Sequence, residues 1–283
     1  SGGGAGILTW VTRSSVADLD DLSDAKFGGA NFTNSFLIGH TTTGSLSSAD
    51  GNVGVGVGAL DAITQGDNNV AVGYGALTTN TTGAQNAAVG MGALKLNVGG
   101  SDNSAFGFGA LDANTSASYN SAFGSNALGA NTTGANNTAV GMGALLLNET
   151  GTNNSAFGLG SLVNNVSASG NSAFGKDALN DNTGAGNTAV GAFAADNNTT
   201  GTYNVAIGYE ALNANTTADG NIAIGYQALN DANRTANVSA FNVAIGHLAG
   251  NTGTNDITTG DQNVLIGYNT AASVLTASNQ IVI

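Results

Sequence analysis

The chain has 283 residues, of which 44 are glycine, none is proline or cysteine, and only 8% are charged. Its 18 acidic and 5 basic side chains leave a net charge of −13. That sign argues against nucleic acid and against insertion at anionic membranes, because such partners need a cationic face. The lack of cysteine removes disulfides and thiolate metal sites. Large apolar residues are too sparse for one thick core, yet low charge and a mean hydropathy of +0.06 do not fit disorder. A thin core repeated many times fits both.

Residues 1–33 stand outside any repeat. Ile7 to Thr12 reads as a strand and carries the only tryptophan, Trp10. Val16 to Ala25 reads as a short helix or turn, and Asp18, Asp20, Asp21 and Asp24 as a solvated face rather than a calcium loop. The segment is expected to cap the first coil of the repeat or to serve as an attachment junction. The start, Ser1 to Gly4, lacks the marks of a signal peptide, so the chain is expected to be a processed or excerpted piece. No apolar run reaches the ~18 residues of a transmembrane helix.

From residue 34 a unit Asn-x-Ala-[Val/Phe/Ile]-Gly recurs fourteen times, its glycine at 39, 56, 73, 90, 107, 124, 141, 158, 175, 191, 208, 225, 246 and 267. The first eight steps are 17 residues, the last two 21. Asparagine stands four residues before the glycine in 13 of the 14 copies, and a second asparagine column stands seven after it, at 80, 97, 114, 131, 148, 165, 182, 198 and 215. Ala-Leu follows the glycine by three and four residues in most copies. These spacings predict an all-β parallel β-solenoid of about 14 coils, each with two short strands and two bends. Stacked ~4.8 Å apart, the coils make a rod on the order of 65 Å long with asparagine amide ladders along it. Residues 34–232 are the regular solenoid. Residues 233–283 have the longer coils, with insertions at Asn233–Ala236 and Thr254–Ile257, and an end strand.

In each strand the Val, Phe or Ile before the glycine is read as the core former, and the Ala/Gly face as a bare face that another chain approaches. One large residue, one Leu and two Ala per coil give a small burial gain against the ordering of 17 residues. A homotrimer that covers the bare face is therefore expected.

The unit Asn204-Val205-Ala206-Ile207-Gly208-Tyr209-Glu210-Ala211-Leu212 resembles the head repeats of YadA-like trimeric autotransporter adhesins. It is more similar to the repeat regions of tail-fibre and appendage proteins of marine bacteriophages, including cyanophages. The resemblance spans residues 34–283, and the leader Leu19–Ala25 with Gly28–Phe32 is similar to the junction before such repeats. Asn279–Ile283 resembles the approach to the intramolecular chaperone of such fibres. The resemblance implies a trimeric, left-handed β-roll acting as a shaft or adhesive head, without catalytic residues. The 17-residue unit is longer than the adhesin unit.

His40 and His247 lie about twelve coils apart, so no catalytic triad or histidine metal pattern can be assembled. The Gly-x-Gly fragments follow the solenoid period and carry no phosphate-loop meaning. No enzyme activity, cofactor or metal is expected. The position after the glycine forms a column of large residues, read as packing against a neighbouring chain, with a stripe for carbohydrate or protein as the alternative. The candidate contact surface is Trp10, Tyr209, Tyr226, His247, Tyr268 and, from the first insertion, Arg234. The expected role is a stiff virion or extracellular rod that contributes to attachment through a host receptor or glycan. The alternative is a bacterial surface adhesin or self-assembling filament, with end-to-end contacts through residues 1–33 and 279–283. An ice-binding solenoid, suggested by Thr81, Thr132, Thr199 and Thr216, comes a distant third.

Overall fold

The computed structural model describes residues 25–27, 32–33, 35–38, 48–230, 241–251, 260–270 and 278–283. The readings made for residues 7–24 and for the two insertions, including Trp10 and Arg234, lie outside the described residues. Thirteen three-residue strands, from Val53–Val55 to Val264–Ile266, form one parallel ladder of consecutive coils. The register is strict: Thr138 pairs with Ser155, Ala139 with Ala156 and Val140 with Phe157. Phe36–Ile38 joins in parallel below Val53–Val55, and Ala25–Phe27 pairs antiparallel with Phe36–Ile38. Ile281–Val282 pairs on Val264–Leu265 at the other end. Phe32–Thr33 and Ala49–Asp50 make a separate parallel pair. The protein is an all-β parallel β-solenoid with a period of about 17 residues, as its spacing predicts.

Beyond the Phe32–Thr33 and Ala49–Asp50 pair, only one of the two strands expected per coil is present in the described coils; the opposite side is a run of turns. The reason is local. The second and fourth residues after the repeat glycine are left-handed, at Gly75 (φ 66°) and Leu77 (φ 51°), for example, which an extended strand forbids. The turns still stack by backbone hydrogen bonds, as from Leu77 N to Ala93 O at 3.0 Å. The fourth position is a leucine with φ of 50–58° in ten coils. A left-handed leucine costs roughly 1–2 kcal/mol. Complete burial of each, worth about 1.5–3 kcal/mol, offsets that cost.

The strand faces are the reverse of the sequence reading. The central alanine of each strand, such as Ala122, Ala139 or Ala156, is fully buried. The Val, Phe or Ile before the glycine faces outward; Phe123 and Phe174 are 41% and 40% exposed. The interior is too narrow for anything else. At the two coils where leucine takes the alanine place, a glycine makes room. A Cβ on Gly54 would overlap Leu37 Cδ2, and one on Gly250 would lie 2.6 Å from Leu229 Cδ2 and 3.3 Å from Leu265 Cδ1. The core is thus a column of leucines against two columns of alanine. The bare Ala/Gly face expected to meet another chain is the inside of this one.

Two asparagine ladders complete the interior. Asn69 Nδ2 and Asn80 Nδ2 both donate to the Gly83 carbonyl, at 2.9 and 2.8 Å. Between coils, Asn86 N donates to Asn69 Oδ1 at 3.0 Å and Asn97 Nδ2 to Asn80 Oδ1 at 2.8 Å. The first ladder runs from Ser35 Oγ, which accepts from Asn52 N, to Asn263 Oδ1, which accepts from Gln280 N. Among the described residues the second runs to Asn215, whose Oδ1 is buried without a partner. Satisfying buried backbone carbonyls from side chains is what permits a polar interior. The repeat glycine has its own reason. Its φ lies between 131° and 145°, and a Cβ on Gly73 would sit 2.6 Å from the carbonyl oxygen of Gly90.

Candidate contact surfaces

Three side chains per coil face outward around the strand: the residues three and one before the glycine, and the residue after it. The first two make the outer face of the sheet. Over the thirteen strands from Val53–Val55 to Val264–Ile266 they are Val, Ile, Phe, Ala, Ser or Thr, and no charged residue occurs. The net charge of −13 is carried elsewhere. Each of the four phenylalanine strands has serine as its other outward residue: Ser104–Phe106, Ser121–Phe123, Ser155–Phe157 and Ser172–Phe174. Phe106 stacks on Phe123 at 5.0 Å, and Phe157 on Phe174 at 4.9 Å. The strip is thirteen strands of ~4.8 Å long and three residues wide, a footprint of roughly 600 Å². Only the column just before the glycine is apolar throughout; the other carries serine or threonine in six of the thirteen strands, so what sets the strip apart is its unbroken run without charge.

The column after the glycine behaves differently in its two halves. In the C-terminal coils four expected contact residues come together: Tyr209 stacks on Tyr226 (5.6 Å), Tyr226 on His247 (5.0 Å) and His247 on Tyr268 (5.2 Å). Phe193 meets Tyr209 edge-on at 6.0 Å, and Lys176 Nζ lies 4.8 Å from the Phe193 ring centre. Beside the rings, Gln227 Nε2 donates to Glu210 Oε2 at 2.6 Å. The hydrogen bond from Tyr209 to Glu210, followed by the charge of Glu210, raises the Tyr209 phenol. Asp196 nearby is pushed up to about 6, by burial first and then by repulsion from Asp177 and Asp181, with Lys176 opposing.

In the N-terminal coils the same column lines a cleft instead. Tyr74, Met91 and Phe108 form one wall, Gly75, Gly92 and Gly109 the floor, and Lys95 and Asp112 the other wall, with Asn126 at one end. Sequence reasoning placed Tyr74, Met91 and Phe108 in the column but did not single them out. The glycines two residues after the repeat glycine were the missed signal.

The corner threonines Thr81, Thr132 and Thr199 spend their hydroxyls on the next coil, donating to Val98 O, Glu149 O and Thr216 O. Among the described residues, no group of three or more His, Asp or Glu is placed to hold a metal ion. Among them, too, no helix is long and apolar enough to cross a membrane. No family model, curated protein or solved structure matches the chain.

Proposed function

We propose that this protein is a structural fibre or appendage subunit: a stiff rod, virion-borne or extracellular, that holds attachment elements at a distance and self-associates, as a homotrimer, through its outer sheet face. The observation that carries this reading is the uncharged strip of thirteen strands in strict register. Its regularity gives stiffness, and its lack of charge gives it reason to be covered. Further copies of the same chain suit it best, because identical faces repeat at one spacing. The ~600 Å² footprint approaches the ~800 Å² per partner of a stable interface. The trimer no longer draws support from a bare Ala/Gly face, since that face is internal.

Sedimentation velocity tests the assembly. The expected mass is three times 27.5 kDa. The pair Phe123→Asp and Phe157→Asp, which sets charge into the strip at two exposed positions, is expected to give single 27.5 kDa chains with unchanged circular dichroism. A wild-type chain that sediments as a monomer overturns the assembly. Electron micrographs test the role: straight rods of fixed length are expected, and filaments of indefinite length would favour the self-assembling filament instead.

A further inference from the structure

The cleft on the N-terminal coils sets an apolar wall against a charged one, and its chemistry is specific enough to name a ligand class. It encloses about 270 Å³, just under the ~300–1,000 Å³ of small-molecule sites. One wall is apolar and exposed: Tyr74, Met91 and Phe108. The opposite wall brings one cation, Lys95, and one anion, Asp112, so the cleft is formally neutral in a chain of net charge −13. Asp112 is under-satisfied: its Oδ1 is buried without a hydrogen-bond partner. The floor is open at its centre, where a Cβ added to Gly92 would have nothing within 4 Å. Side chains crowd the floor toward its two ends. Asn126 Oδ1 reaches over Gly109, to 2.5 Å from where a Cβ would stand, and Thr78 Oγ1 lies 3.3 Å from the corresponding point of Gly75.

We infer that this cleft binds one neutral sugar ring. Such a ring presents an apolar C–H face to Tyr74, Met91 and Phe108, hydroxyl donors to the Asp112 carboxylate and Asn126, and oxygen acceptors to the Lys95 ammonium. A pyranose ring combines an apolar face with donors and acceptors around its rim, and the balanced charges of Lys95 and Asp112 disfavour an ionic ligand. Hydroxyls on a carboxylate short of protein donors form strong, charge-assisted bonds. The site goes beyond the spacer role and does not depend on assembly through the sheet face, since a single chain presents the same cleft.

The chain's two methionines provide the test, because Met91 lines the cleft and Met142 lies three coils further along the same column. With ¹³C-methyl methionine, the protein shows two methyl signals, assigned through Met142→Leu. The probes are the methyl glycosides of glucose, galactose and mannose and N-acetylglucosamine, with glucuronic acid as the charged counter-probe. At least one neutral probe is expected to shift the Met91 signal and leave Met142 unmoved. Asp112→Asn is expected to weaken that binding at least about tenfold, and Asp61→Asn, at the same place in an earlier coil, to leave it unchanged.

Gly92→Gln should abolish it by filling the floor; the left-handed backbone there tolerates glutamine, as Gln227 (φ 50°) shows in its own coil. No response to any neutral probe, stronger binding of glucuronic acid, or binding that survives Gly92→Gln overturns the assignment. Should Gly92→Gln fail to fold, retention of full affinity by Asp112→Asn overturns it equally.

Discussion

The coils around Tyr74–Asn126 and those around Lys176–Tyr268 share the left-handed turn after the repeat glycine and differ in the residue placed in it. Two residues after the repeat glycine, the first group has Gly75, Gly92 and Gly109, with φ of 61–70°. The second has Asp177, Phe193, Glu210, Gln227, Leu248 and Asn269, with φ of 50–59°. The left-handed turn therefore belongs to the coil, not to glycine, and the side chain placed there decides what the surface becomes. Where it is absent the neighbouring column walls a cleft. Where it is present the groove is filled, and the rings Tyr209, Tyr226, His247 and Tyr268 lie on one another.

The most severe way to break this comparison is to cut the shared interior between the two groups. Asn131 donates to Asn114 Oδ1 and Gly134 O and accepts from Asn148 Nδ2. Asn131→Leu orphans the buried Asn114 oxygen and an Asn148 proton, at about 1–3 kcal/mol each. Denaturant melts are expected to show a loss of about 2–5 kcal/mol. They should also show the single transition splitting in two, since solenoid coils are coupled only to their neighbours. A single unsplit transition would mean that the halves are held together by more than this ladder.

A milder change sharpens the contrast. Tyr226 stands in the middle of the ring stack, so Tyr226→Ala removes two contacts worth about 0.5–1.5 kcal/mol each and should flatten the near-ultraviolet dichroism of the tyrosines. The corresponding Tyr74→Ala, with no ring partner among the described residues, is expected to cost under about 0.5 kcal/mol. Equal costs would deny the stack any energetic meaning.

A smaller effect than the loss of the stack is one of pH. Folding raises Asp196 from 3.8 to about 6, so the native state binds more protons than the unfolded one between those values. Stability then falls as pH rises through that window. Because the carboxyl is half-buried, solvent screening limits the effect to ~1 kcal/mol. Melts at pH 4.5 and 7.5 are expected to show the difference in the wild type and not in Asp196→Asn.

The period and both asparagine ladders were legible in the sequence, because each rests on spacing alone, and Asn69, Asn86 and Asn103 do form the expected column. The inside and outside of the strand were not. Size and apolarity assign Phe106 or Val140 to a core, but here the interior is only as wide as an alanine facing a leucine. The Leu37–Gly54 and Leu265–Gly250 exchanges record that limit. The left-handed leucines were equally hidden, since nothing in a leucine announces φ near 52° until the coil around it is closed. Of the contact surface, the stack of Tyr209, Tyr226, His247 and Tyr268 could be seen as a column. The cleft could not, because it depends on what is missing beside Tyr74, Met91 and Phe108.

The parallel ladder has a mechanical consequence. Its hydrogen bonds lie along the rod, so a pull on the two ends loads them in series, and the outermost coil, gripped from one side, yields before any other. Each coil advances the rod by only ~4.8 Å but stores 17 residues, roughly 55–60 Å when drawn out. A stack of thirteen such coils thus holds on the order of 700 Å of reserve length. Under tension it lengthens by paying out coils one at a time instead of snapping.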